Sequence, residues 1–177
     1  MINRIKNFFK RKFKADIFIV FLYRIAIVYF LYTLSRLIFY IYNIQHFDIN
    51  FNGLIKIFLG GLKFDTTAII YTNLLFIAMS IIPFRFRHNS TYQKVLKYIF
   101  FVTNGIGLLA NFADIPYFDF VLERSTIKIF QQFENETNLG PLFLKFIFDY
   151  WTITISYIFS IILMVYLYNR TIIKSPF

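Results

Sequence analysis

Four long apolar runs, at about 17–42, 66–84, 95–113 and 146–168, constrain this chain more than any other feature. A helix that crosses the hydrocarbon core needs about 20 mainly apolar residues, because the core is roughly 30 Å thick and each residue rises about 1.5 Å. In a chain of 177 residues that is 58% hydrophobic and only 16% charged, such runs leave too little polar surface for an ordinary soluble domain. The sequence predicts an all-α polytopic membrane bundle of four transmembrane helices over 17–168, with a basic flank at 1–16 and a tail at 169–177.

The net charge of +10 is gathered in blocks beside the apolar runs instead of forming a stripe along a soluble face, which argues against nucleic acid as a partner. Arg4, Lys6, Lys10, Arg11, Lys12 and Lys14 precede the first run; Arg85, Arg87, Lys94 and Lys97 lie between the second and third; Arg170 and Lys174 follow the fourth. The intervening connectors, 43–65 and 114–145, carry Asp48, Asp65, Asp114, Asp119, Glu123, Glu134 and Glu136 with fewer positive charges per residue. Positive loops stay in the cytoplasm, so the pattern predicts a cell membrane protein with both termini cytoplasmic. The first run is too long for a signal peptide and no small-residue cleavage site follows it, so it is expected to remain as an anchor.

The outer connectors have a helical period of their own. Phe51, Leu54, Ile55, Phe58, Leu59 and Leu62 recur at three- and four-residue steps, which predicts a short helix in the outer interface that loosens at Gly60 and Gly61 before the second span. Past Pro116, Leu122, Thr126, Ile129, Phe130 and Phe133 suggest a second interfacial helix, and ENETNLGP a loop returning to the membrane.

Polar residues inside spans are costly, so they mark where helices meet or function resides. A central arginine costs roughly 2.5 to 3.5 kcal/mol on insertion scales. Arg24, about 10 Å in from Ile17, is expected to snorkel toward the near interface. Arg36 shares a depth with Asp65, Thr66 and Thr67 and with Asn111 and Asp114, which predicts a structural polar cluster of Arg36, Asp65, Asn111 and Asp114 in which Arg36 pairs with Asp65 or Asp114. Asn73 and Asn104 are amides within spans and read as packing contacts, while Gly105, Gly107 and Ala110 offer close helix approach.

No catalytic residue and no cofactor or metal site is identified. The absence of cysteine removes thiolate chemistry and Cys-ligated metals, and His46 and His88 sit apart in connectors. The chain has no GxSxG, GxxxxGKS or HExxH, and its acids show no spacing that pairs them for acid–base work.

Three segments, GLKFDTTAIIYTNLLFIAMSIIPF at 61–84, NFADIPYFDFVLERSTIKIFQQF at 111–133 and FLKFIFDYW at 143–151, carry a family likeness. Gly-Leu-Lys-Phe-Asp before the second span, Asp114, Tyr117 and Phe118 after the third, and Arg124-Ser125-Thr126 beyond contribute most of it. The chain resembles, over nearly its whole length, the amino-terminal membrane region of lipoteichoic acid synthase-like proteins. These are membrane-anchored sulfatases and phosphoglycerol transferases of the alkaline phosphatase superfamily. In that family about five helices precede an extracytoplasmic domain whose threonine nucleophile and divalent metal, commonly manganese, process a phosphate or sulfate ester.

The resemblance implies a membrane-anchoring module with four of those spans and without the fifth helix, nucleophile or metal ligands, as in a fragment or split gene product. It also implies the lipid bilayer as partner, together with anionic phospholipid headgroups met at the outer surface by Lys63, Arg124 and Lys128, residues that serve equally as interfacial anchors. The competing expectation is a self-standing polytopic protein, either a small transporter subunit or an assembly scaffold.

Overall fold

The computed structural model describes residues 13–47, 50–82, 89–122 and 147–173. Five α-helices make up most of these: α1 Ile17–Tyr42, α2 Phe51–Thr72, α3 Leu74–Ile81, α4 Ser90–Val121 and α5 Trp151–Asn169. A short 3-10 turn, Ile44–His46, follows α1, and two three-residue strands, β1 Phe13–Ala15 and β2 Thr171–Ile173, flank the bundle in sequence.

The first helix, α1, is mostly apolar, but its buried residues form one stripe: Val20, Arg24, Ile27, Val28, Leu31, Tyr32, Ser35 and Phe39. Steps of three and four keep these side chains on a single face. That face packs on α2, α4 and α5, so α1 is the helix around which the others assemble. Phe18, Leu22, Phe30, Leu37 and Ile41 point away from the bundle and are exposed. Exposed Leu74, Val102, Ile106, Ile158, Phe159 and Ile162 extend this apolar surface over the remaining helices, as lipid contact requires.

Three helices, α1, α4 and α5, are long and apolar enough to cross a membrane, and the bent pair α2–α3 supplies a fourth crossing when taken as one span. At 32 residues, α4 is about 48 Å long, well beyond the hydrocarbon core. It continues through Pro116, where the sequence pattern ended the third span near residue 113, and closes on Leu122 in the left-handed region, φ 56°.

One sequence expectation is corrected here. The helix beginning at Phe51 does not loosen at Gly60 and Gly61 but runs unbroken to Thr72, so both glycines lie inside one element. The break falls instead at Asn73, where α2 and α3 meet at 69°. Asparagine competes for backbone hydrogen bonds and favours helix ends. Its backbone N–H still bonds the Ile69 carbonyl at 2.9 Å, while its own carbonyl accepts from Ile77 at 2.8 Å, so both helices keep their ladders up to the bend. The expected helix through Thr126, Ile129, Phe130 and Phe133 lies outside the described residues.

At one end of the bundle β1 and β2 pair in parallel, with Phe13 opposite Thr171, Lys14 opposite Ile172 and Ala15 opposite Ile173. The segment entering α1 and the segment leaving α5 are thereby held side by side.

Candidate functional site

Arg36 projects from the second half of α1 onto α2, where three acceptors rise along one helical face. Its Nη2 donates to Asp65 Oδ1 at 2.6 Å and to the Gly61 carbonyl at 3.0 Å, and Nη1 donates to the Phe58 carbonyl at 3.4 Å. Positions 58, 61 and 65 are spaced by three and four, which places them on the same side of α2. Both side chains of the ion pair are nearly sequestered, at 11% and 12% exposure. Gly61 is what lets the guanidinium lie so close. A Cβ at that position would overlap Arg36 Nη1 and Cζ, whereas a Cβ at Gly60 would meet nothing.

Of the two acids available to Arg36 in sequence, Asp65 forms the ion pair. Asp114 is buried on α4, and Asn111 lies half-buried about one turn before it. Lys63 is exposed on α2, as a headgroup contact would need to be, while Arg124 and Lys128 lie outside the described residues.

A second polar contact joins the bend to α4. Asn73 Nδ2 donates to Asn104 Oδ1 at 3.0 Å and Asn104 Nδ2 returns a bond to Asn73 Oδ1 at 2.8 Å. The remaining donors reach Thr72 Oγ1 at 3.2 Å and the Phe100 carbonyl at 2.8 Å. Both amides are fully buried. In a water-free interior such reciprocity satisfies each group with no cost left over.

The helix ends opposite the strands are tied by Asn43, which caps α1. Its Nδ2 donates to the Phe39 and Ile115 carbonyls, both at 3.1 Å. Nearby, His46 Nε2 lies 2.8 Å from Asp119 Oδ1, and Phe118 stacks on Phe47 at 5.5 Å and meets the edge of Phe39 at 5.1 Å. His46 is thus held by an acid, and the described residues contain no group of three His, Cys, Asp or Glu able to hold a metal ion. His88 lies outside them.

Arg24 does not snorkel. It is 7% exposed, donates from Nη1 to Gln93 Oε1 at 3.3 Å, and lies over the Tyr168 ring at 4.0 Å. Sequence reasoning missed this contact because Gln93 and Tyr168 are remote along the chain; the available signal was that Arg24 falls in register with Val20, Ile27 and Val28 on the buried stripe.

The glycines of α4 divide between two neighbours. Gly107 faces α1, where a Cβ would overlap the Tyr32 hydroxyl; Gly105 faces α5, where a Cβ would lie in ordinary contact 3.9 Å from Ile161 Cδ1, and its carbonyl accepts from the Tyr157 hydroxyl at 3.3 Å.

Chemically, most of these polar groups are committed to joining helices: a cation to an acid, an amide to an amide, a cap to a carbonyl. No protein family, curated protein or solved structure matches this chain.

Proposed function

We propose that this chain is the membrane-anchoring module of a lipoteichoic acid synthase-like phosphoglycerol transferase or sulfatase, seated in the cell membrane with both flanks cytoplasmic. The observation that carries the anchoring role is the use made of buried polar side chains. Arg36 with Asp65, Asn73 with Asn104, and Asn43 with Ile115 each fasten one helix to another at a different depth. Interhelical bonds of this kind favour one fixed arrangement. The enzyme class rests on the resemblance of 61–84, 111–133 and 143–151, and the orientation on the basic blocks that flank the apolar runs in sequence.

A catalytic unit working on lipid-linked substrate gains from such a mount, since tethering replaces diffusion from bulk by an effective concentration at the surface. The test is a fusion of the chain, through an added fifth span, to a lipoteichoic acid synthase-type catalytic domain. Proteoliposomes containing fluorescent phosphatidylglycerol should turn over at least about tenfold faster with the fusion than with the free domain. Equal rates would remove the anchoring role. A reporter following Gly140 should be extracytoplasmic, and a cytoplasmic reporter there would reverse the orientation.

A self-standing transporter subunit draws on a different observation, the 69° break at Asn73, since broken helices line solute sites in many transporters. The amide at that break is bonded to Asn104 and sits fully buried, which favours the anchoring reading.

A further inference from the structure

We propose that Arg24 holds a phosphate oxygen of an anionic phospholipid, in a recess at the strand-bearing end of the bundle. This site is distinct from the exposed Lys63, and it stands whether or not the anchoring role does.

Among the described residues the charge of Arg24 is uncompensated. Arg24 is 93% buried by its 7% exposure, yet among the described residues it forms no ion pair, and its Nε has no hydrogen-bond partner. Stacking on Tyr168 and one bond to Gln93 are weak recompense for a guanidinium, which offers five N–H donors in a planar fork suited to phosphate. Buried arginines with spare donors call for an anion.

Beside it is a place for one. Arg24, Gln93, Tyr92 and Ser80 border a recess whose apolar lining includes Ile17 and Phe21, with an internal volume of about 10 Å³. That is room for a single oxygen-sized group and no more. Whatever enters must leave its bulk outside, which suits one oxygen of a phosphodiester. The adjoining face of α1 presents exposed Phe18 and Leu22, along which acyl chains can lie. Lys94, Lys97 and Arg170 stand at the same end of the bundle, so the surrounding surface favours a headgroup with net negative charge over a zwitterionic one.

A phosphate oxygen could also come from the free ion, and the experiment separates the two sources. The full chain is purified in detergent, incubated with equal amounts of phosphatidylglycerol and phosphatidylcholine, and weighed intact by native mass spectrometry. Wild type should retain phosphatidylglycerol roughly fivefold over phosphatidylcholine. Arg24→Gln should lower that retention about tenfold. Lys97→Ala combined with Arg170→Ala should stay within about twofold of wild type, because those cations only attract.

Retention unchanged in Arg24→Gln, or lost equally in the Lys97→Ala, Arg170→Ala variant, overturns the site. Displacement of the lipid by 10 mM inorganic phosphate would assign the recess to the free anion and overturn the lipid reading. Should Arg24→Gln not fold, Ser80→Val, which fills the recess and keeps the charge, must abolish the preference; a preserved preference overturns the proposal.

Discussion

Asn73 and Asn104 exchange a pair of hydrogen bonds, 3.0 and 2.8 Å, at the point where α2 and α3 meet at 69°. The bend therefore does not rest on backbone preference alone: it is matched to a partner on α4 at the same depth. Replacing either amide strands the other in an apolar interior. Asn104→Ala and Asn73→Ala should each lower unfolding stability by about 1 to 2 kcal/mol, with the double variant well short of their sum. Denaturant titration of the four proteins in mixed micelles measures the coupling, and strict additivity would mean that the amides act independently.

Gly60 and Gly61 are adjacent in sequence and should respond oppositely to alanine. At Gly60 the added methyl meets nothing, so Gly60→Ala should be neutral or stabilising by up to about 1 kcal/mol through helix propensity. Gly61→Ala must push the Arg36 guanidinium off the Gly61 and Phe58 carbonyls, and should cost about as much as Arg36→Ala, roughly 3 kcal/mol. Unfolding midpoints of the three variants decide it; a silent Gly61→Ala would show that Arg36 can leave its seat freely.

The Arg36 and Asp65 pair should also show the asymmetry of sequestered charges. Arg36→Met or Asp65→Leu alone leaves one charge without its counterpart, whereas the double variant removes both and should recover at least about half of the single loss. The same unfolding assay applies, and a double variant worse than both singles would contradict a charge-pairing role.

At Gly107 the obstacle to a side chain is a single hydroxyl. Gly107→Ala should destabilise by about 1 to 3 kcal/mol, because its Cβ would overlap the Tyr32 hydroxyl. Tyr32→Phe in the same protein removes that oxygen and should restore most of the loss. Failure of the rescue would place the strain elsewhere on the α1–α4 contact.

The register of the strands can be tested without background, since the native chain contains no cysteine. Lys14→Cys with Ile172→Cys should crosslink on mild oxidation, because these positions are direct partners in the parallel pair. A faster mobility on non-reducing gels reports the bond. Lys14→Cys with Thr152→Cys, at the far end of α5, is the control that should remain open.

How much of this could be read from sequence differs by the range of the interaction involved. Hydropathy is a local property, and the run at 17–42 and the helix Ile17–Tyr42 occupy the same residues. Depth is nearly as local, since counting residues from a span end put Arg36 level with both Asp65 and Asp114. Choosing between those acids depends on helix rotation, and α2 turns its 58, 61 and 65 face to α1. Gly61 was misread for the same reason: glycine lowers helix propensity wherever it stands, and only the neighbouring helix reveals that the missing side chain makes room for a guanidinium. Asn73 and Asn104 were both visible as buried amides, but their meeting, like that of Arg24 with Gln93 and Tyr168, is a tertiary event with no signature along the chain.

The parallel pairing of Phe13–Ala15 with Thr171–Ile173 has a mechanical consequence. A segment leading into Phe13 and a segment leading out of Ile173 would start from positions a single strand spacing apart, about 4.8 Å. Two such attachments would share one small volume, and would meet each other there at millimolar effective concentration with no contact of their own.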